Sequence, residues 1–181
     1  KLIFNLKTQN KGLAIGALTL WIVSLLCIIG IAAFESNNYS DFGRDSFSQE
    51  LLVDSDTLYI SINETQDEYL DDESIIDLDD KWFLLEDAEA FYGRVNLDIE
   101  KTEGEEFLLE IEKESKGRTW EHAGENAANI DYHFRTKGNK LVLDPYFSVD
   151  LDHKWRFPRV ETIVRVPEGK VVVLDRETRD I

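Results

Sequence analysis

The sequence predicts an all-β domain carried beyond a membrane on one N-terminal helix. Two observations carry that reading. Gly12 to Phe34, GLAIGALTLWIVSLLCIIGIAAF, runs without one charged side chain. About 20 apolar residues at a rise of 1.5 Å cross the hydrocarbon core of a bilayer. After that span, short runs alternate apolar and polar residues between turns containing Gly, Asp or Asn, and no helical run exceeds a turn or two. That alternation is the pattern of half-buried strands. The strand–turn–strand unit returns at irregular spacing, which fits a solenoid-like or sandwich-like stack of short antiparallel strands.

Residues 1–11 carry Lys1, Lys7 and Lys11 and no acid, whereas Glu35, Asp41 and Asp45 follow the span with only Arg44 opposing. Basic residues flanking a span stay on the cytoplasmic side, so residues 1–11 are expected in the cytoplasm and the rest on the periplasmic side of an inner membrane. Within the span at 12–34, Gly12 and Gly16 set up a small-residue face on which a second helix could pack. A cleaved signal peptide is the alternative. Its apolar core is roughly 7–15 residues, shorter than this one. The chain begins with Lys and contains no Met, which predicts a piece of a longer protein.

Residues 35–50, ESNNYSDFGRDSFSQE, read as a polar linker, and 51–181 as the β-domain. Leu58, Ile60 and Ile62 alternate with polar neighbours as a strand. The acidic stretch 64–80 reads as a solvated loop. Asp77 and Asp79 alternate as calcium ligands would, but the Gly and the later Glu of a helix–loop–helix site are missing. Trp82–Leu85 is a short strand. Residues 94–102 place Val95, Leu97 and Ile99 on one face, and 107–115 place Phe107, Leu109 and Ile111 inward. The turn between them predicts an antiparallel hairpin. Residues 118–131 read as a crossing loop, because Gly124 and the Asn and Asp residues resist a long helix. Ile130, Tyr132 and Phe134 share a face, and Lys137-Gly138-Asn139-Lys140 turns into a strand at 141–144. Pro145-Tyr146-Phe147 reads as a further turn. Residues 160–175 predict two strands paired across Pro167-Glu168-Gly169-Lys170. An apolar strand near Ile181 without a cap predicts that the domain continues.

All 37 acids and 17 of the 20 basic residues follow the span, a formal −20 for that part. Such a surface offers no footprint for nucleic acid and disfavours flat adsorption to anionic lipid. The single cysteine, Cys27, lies in the span, so no disulfide is available to the domain. His122, His133 and His153 stand apart without cysteine neighbours, giving no zinc pattern. No Gly-x-Ser-x-Gly or phosphate-cradling loop occurs. The reading is therefore non-enzymatic, with no cofactor and no metal. Trp120, Tyr146, Trp155 and Phe157 are the candidates for a polymer-binding groove, against their use as core packing.

The Lys-flanked NLKTQNKG lead, the span, the Ser/Asn linker and the strand–Pro–x–Gly–x–strand segment VRVPEGKVVVLD together resemble phage-shock-protein-C-like (PspC) membrane proteins of Bacteroidetes type. The resemblance matches 1–34 to the last membrane helix and 80–181 to the front of an envelope-facing toast-rack domain. It implies a β-solenoid-like stack and a role in sensing envelope stress through contacts with other membrane or envelope proteins, or with a second copy. It carries over no catalytic residue. A cell-envelope adhesin or polysaccharide-binding module is the other class considered.

Overall fold

The structure is a computed structural model that describes residues 11–36, 39–63, 75–79, 82–85, 90–153, 155–176 and 178. Helix α1 covers Lys11–Ser36, and none of its residues is buried. It is the one helix among the described residues long and apolar enough to cross a membrane. Thr19 Oγ1 donates to the Ile15 carbonyl at 2.9 Å, so this hydroxyl is satisfied within the helix.

Strands follow, among the described residues in three sheets of four. The first has the order β1 (Asp41–Leu51), β7 (Phe107–Gly117), β11 (Arg159–Pro167), β6 (Asn96–Thr102). The second is β12 (Val171–Leu174), β2 (Thr57–Ile62), β9 (Lys140–Leu143), β8 (Phe134–Lys137). The third is β10 (Tyr146–Asp150), β5 (Ala90–Arg94), β4 (Trp82–Leu85), β3 (Ile75–Asp79). The predicted class, mostly strands after one apolar helix, is what the chain adopts. Pairing is mixed: β12, β2 and β9 run parallel, and so do β11 and β6.

One apolar cluster joins these sheets. Leu58 and Ile60 of β2 and Leu141 and Leu143 of β9 share it with Phe107, Leu109 and Ile111 of β7 and with Val160 and Val164 of β11. The alternation read in the sequence puts those side chains inward. Burial of such side chains contributes roughly 1.5–3 kcal/mol each before chain entropy is set against it.

Several local expectations are overturned. Residues 41–50 of the supposed linker lie in β1, an eleven-residue strand paired with β7 from Asp41↔Gly117 to Leu51↔Phe107. The polar composition belongs to the edge of a sheet, where charged residues discourage further pairing. Arg44 there reaches Glu112 at 2.8 Å and Glu114 at 2.6 Å on the neighbouring strand, and these carboxylates raise its pKa further.

The predicted hairpin at 94–115 does not form, because β11 inserts between β6 and β7. A four-residue turn spans about 13 Å when extended, enough to pass over one strand at about 4.8 Å spacing. Ile99 is exposed rather than inward, since β6 is at the sheet edge. Likewise β11 and β12 do not pair with each other. The turn Pro167–Lys170, closed by the Lys170 N–H donating to the Pro167 carbonyl at 3.2 Å, carries the chain from the first sheet to the second. Gly169 holds φ +86° there, a conformation that suits glycine. Tyr146 and Phe147 begin β10 and are not a turn.

The supposed crossing loop contains helix α2, Trp120–Ala128. Thr119 caps it, its hydroxyl accepting from the His122 N–H at 3.3 Å. Tertiary contact overrides the weak propensity of Gly124 and the asparagines. Ala123 and Ala127 are fully buried against β1 and β7, on the face of β7 that also carries Phe107 and Ile111. By contrast, the Lys137–Lys140 turn joins the antiparallel pair β8 and β9, as read from the sequence.

Tyr132 and Thr162 form a buried polar pair in this core, Oγ1 to phenolic oxygen at 3.3 Å. Burial pushes the Tyr132 hydroxyl well above its usual value near 10, with Asp144 adding to the rise. The folded state therefore holds the phenol proton after the unfolded state has released it. Stability from this group is complete below about pH 10 and falls as pH rises above that, by about 1.4 kcal/mol per unit. Tyr132→Phe is expected to cost about 1 kcal/mol at pH 7 and to show a shallower alkaline decline than the parent. Urea midpoints measured from neutral to alkaline pH check both.

Candidate functional site

The residues with the most unusual surroundings gather where α1 meets the sheets. Trp155 lies edge-on to Trp82 at 4.6 Å and to Phe91 at 5.3 Å. Trp82 in turn meets Phe147 at 5.3 Å. The row continues outward through Phe157, 6.3 Å from Trp155, to Tyr39 at 5.8 Å. Edge-to-face geometry is the favoured one for such rings.

Phe157 has φ +53°, a genuine outlier for a bulky residue. Its position is fixed by the preceding carbonyl: Arg156 O accepts the Lys116 N–H at 2.8 Å and Ser115 Oγ at 3.2 Å. The strain aims the Phe157 ring outward, 55% exposed. Lys116 Nζ lies 4.9 Å from the rings of both Phe157 and Phe42. Arg156 stacks at 4.8 Å over Tyr39, and Arg118 at 5.2 Å over Phe34, the last residue of the apolar span. Cations over ring faces are attracted by the ring quadrupole.

Beside this row lies a cleft of about 440 Å³, lined among others by Phe34, Arg118, His122, Asn126, His153 and Arg156. Three carboxylates, Glu35, Glu125 and Asp152, share its wall. Helix α2 supplies His122, Glu125 and Asn126, and the loop after β10 supplies Asp152 and His153. Asn126 is fixed by donating Nδ2 to the Lys116 carbonyl at 2.9 Å.

The four aromatic residues singled out in the sequence fall in different places. Trp155 and Phe157 are neighbours in the ring row. Tyr146 is buried on β10 against Phe83, at 5.0 Å. Trp120 opens α2, 73% exposed. Lys11 begins α1, while Lys1 and Lys7 lie outside the described residues. A Cβ added at Gly12 or Gly16 would meet nothing within 4 Å, so that face of α1 is open. Most of the acidic stretch 64–80 also lies outside the described residues, with only the backbone of β3 within it. Among the described residues no group of three or more His, Cys, Asp or Glu is arranged to hold a metal. Sequence reading missed Phe42, Arg118 and Arg156. The signal available was the recurrence of basic residues beside aromatics, at Lys116-x-Arg118-x-Trp120 and Trp155-Arg156-Phe157, in an otherwise acidic chain.

Residues 85–181 match the family model of the toast-rack domain found in some PspC proteins. No curated protein and no solved structure matches the chain. A toast-rack domain of the PspC type behind one apolar helix fits a membrane envelope-stress protein, and the family is not a known enzyme family. With the matched region covering more than half of the sequence, the chain belongs to the PspC C-terminal toast-rack family.

Proposed function

We propose that this chain transduces envelope stress by protein contact through its β-domain, without an enzymatic step, from the periplasmic face of the inner membrane. The observation that carries the reading is the toast-rack match at 85–181 behind an apolar helix. The orientation is supported by the basic residues Lys1, Lys7 and Lys11 before the span and the acids after it.

Strand β12 is the contact surface best suited to the role. It is terminal in its sheet among the described residues, and Val171 and Val173 face outward, 53% and 42% exposed. A terminal apolar strand is a template for pairing with another chain, and two copies meet there in a self-complementary way. Val173→Cys in a Cys27→Ser background is expected to give disulfide-linked dimers in native membranes, with a yield that rises severalfold under envelope stress. Val173→Lys should abolish both the pairing and the stress response. A cross-link yield that stays at background under stress would overturn the reading.

A polysaccharide-binding module built on Trp120, Tyr146, Trp155 and Phe157 draws little support from their placement. Tyr146 is buried, and Trp155 is packed against Trp82 and Phe91.

A further inference from the structure

The end of the β-domain next to α1 differs chemically from the rest of a chain whose formal charge is −17. Phe34 closes the apolar span, and aromatic rings at such a position mark the level where acyl chains give way to headgroups. Arg118 lies 5.2 Å over that ring, so its guanidinium is held at headgroup height. Lys116 and Arg156 are tied to the same layer through Phe42, Phe157 and Tyr39. Three large rings are left to solvent on this side: Trp120 at 73%, Phe42 at 66% and Phe157 at 55% exposure. Exposed aromatics interleaved with Arg and Lys are the composition of a membrane–water interface.

The cleft adds specificity. Arg156 lines the cleft, and its Nη1 is buried without a hydrogen-bond partner among the described residues, an expensive arrangement for a charged group. Arg118 and the side-chain amide of Asn126 add further donors, which suit phosphate oxygens. Glu125 and Asp152 in the cleft wall suit a cation and repel a second negative charge. A volume of about 440 Å³ falls in the range of small-ligand sites, roughly 300–1,000 Å³. One molecule that presents phosphate and ammonium together, beside the end of a membrane span, is a zwitterionic phospholipid headgroup.

We propose that this end of the domain docks on the leaflet at the C-terminal end of α1, seating a zwitterionic phospholipid headgroup in the cleft. The docking rests on α1 being a span and is independent of stress signalling. It also reconciles an acidic domain with a membrane surface: at about 8 Å Debye length, charges elsewhere on the domain are screened from the contact.

The test uses the full chain with Cys27→Ser and a nitroxide at Glu121→Cys, on α2 but outside the cleft. Accessibility to a water-soluble relaxation agent is compared in phosphatidylethanolamine/phosphatidylcholine nanodiscs and in maltoside micelles, which lack phosphate. The label is expected to be shielded in the discs and open in the micelles. Arg118→Glu, which replaces a donor to phosphate with a like charge, should reduce the docked population severalfold. Trp120→Ser, at an exposed site that costs little in folding, should reduce it as well. An open label in the discs, equal shielding in micelles, shielding only with phosphatidylglycerol, or shielding by inorganic phosphate in micelles would each overturn the proposal. Carbonate extraction of the chain from membranes reports separately on whether α1 spans.

Discussion

Gly43→Ala is expected to destabilise the β-domain by about 3 kcal/mol, the upper part of what overpacking costs. An added Cβ would stand 2.1 Å from the backbone nitrogen of Gly124 and 2.2 Å from the carbonyl carbon of Ala123. Both are helix backbone, so no side chain is available to swing aside. The helix cannot retreat along β7 either. A Cβ at Gly117, on the same face, would meet Ala123 N at 2.5 Å, which shows α2 seated directly on two strands. Undocking α2 removes His122, Glu125 and Asn126 from the cleft beside the membrane span, so the substitution should also release the Glu121 label in nanodiscs. Gly124→Ala is the control. It faces open space, and it replaces a glycine inside a helix, so a gain of about 0.5–1 kcal/mol is expected. Urea unfolding of the full chain in nanodiscs, followed by tryptophan emission, measures both. Unchanged midpoints for Gly43→Ala would mean that α2 is not seated as described.

How much of this was legible in the sequence depends on the range of the interaction concerned. The longest and most regular local patterns were the reliable ones. The uncharged run ending at Phe34 gave α1, and period-two alternation gave β2, β7 and the inward sets Leu58/Ile60 and Phe107/Leu109/Ile111. The Lys137–Lys140 turn was legible as a turn, and it joins β8 to β9. Pairing between distant strands was not legible. A Gly-containing turn after β6 looks the same whether the next strand lies adjacent or one place over. The insertion of β11 left no such mark, because VETIVRV places Val160, Thr162, Val164 and Val166 on one face and Glu161, Ile163 and Arg165 on the other, the alternation of any half-buried strand. Arg165 confirms the register, reaching Glu110 at 2.9 Å and Glu100 at 3.1 Å on the two neighbouring strands. Polar composition misled at β1 because an edge strand and a linker share it, and α2 was missed because it is seated through Ala123 on Gly117 and on Gly43, a glycine far away in sequence. For the same reason the cleft could not be assembled from sequence: its walls are tertiary, brought together by the α2 seat and by Asp152, His153 and Arg156.

Phe107→Ala is expected to cost the most of any substitution considered, about 3–5 kcal/mol. Phe107 has no exposed surface, lies in the shared core, and supports Lys170 Nζ over its ring at 5.1 Å, while Lys170 also reaches Glu106 at 3.3 Å. Truncation removes the ring from the core and also the anchor of the turn that hands the chain from β11 to β12. Phe107→Leu, which fills part of the space, should cost less than half as much. The site also reports on cooperativity. Gly43 pairs with Ser115, and Phe107 begins the same strand, so the two positions are about 27 Å apart along β7 at the strand rise of about 3.4 Å. Substitutions that far apart add to within about 0.5 kcal/mol when the domain unfolds as one unit. The double variant Gly43→Ala/Phe107→Ala is expected to show that additivity. If it loses clearly less than the sum, α2 and its end of the sheet open separately from the core. The membrane-proximal end would then be a unit able to respond to the bilayer while the rest of the domain stays folded.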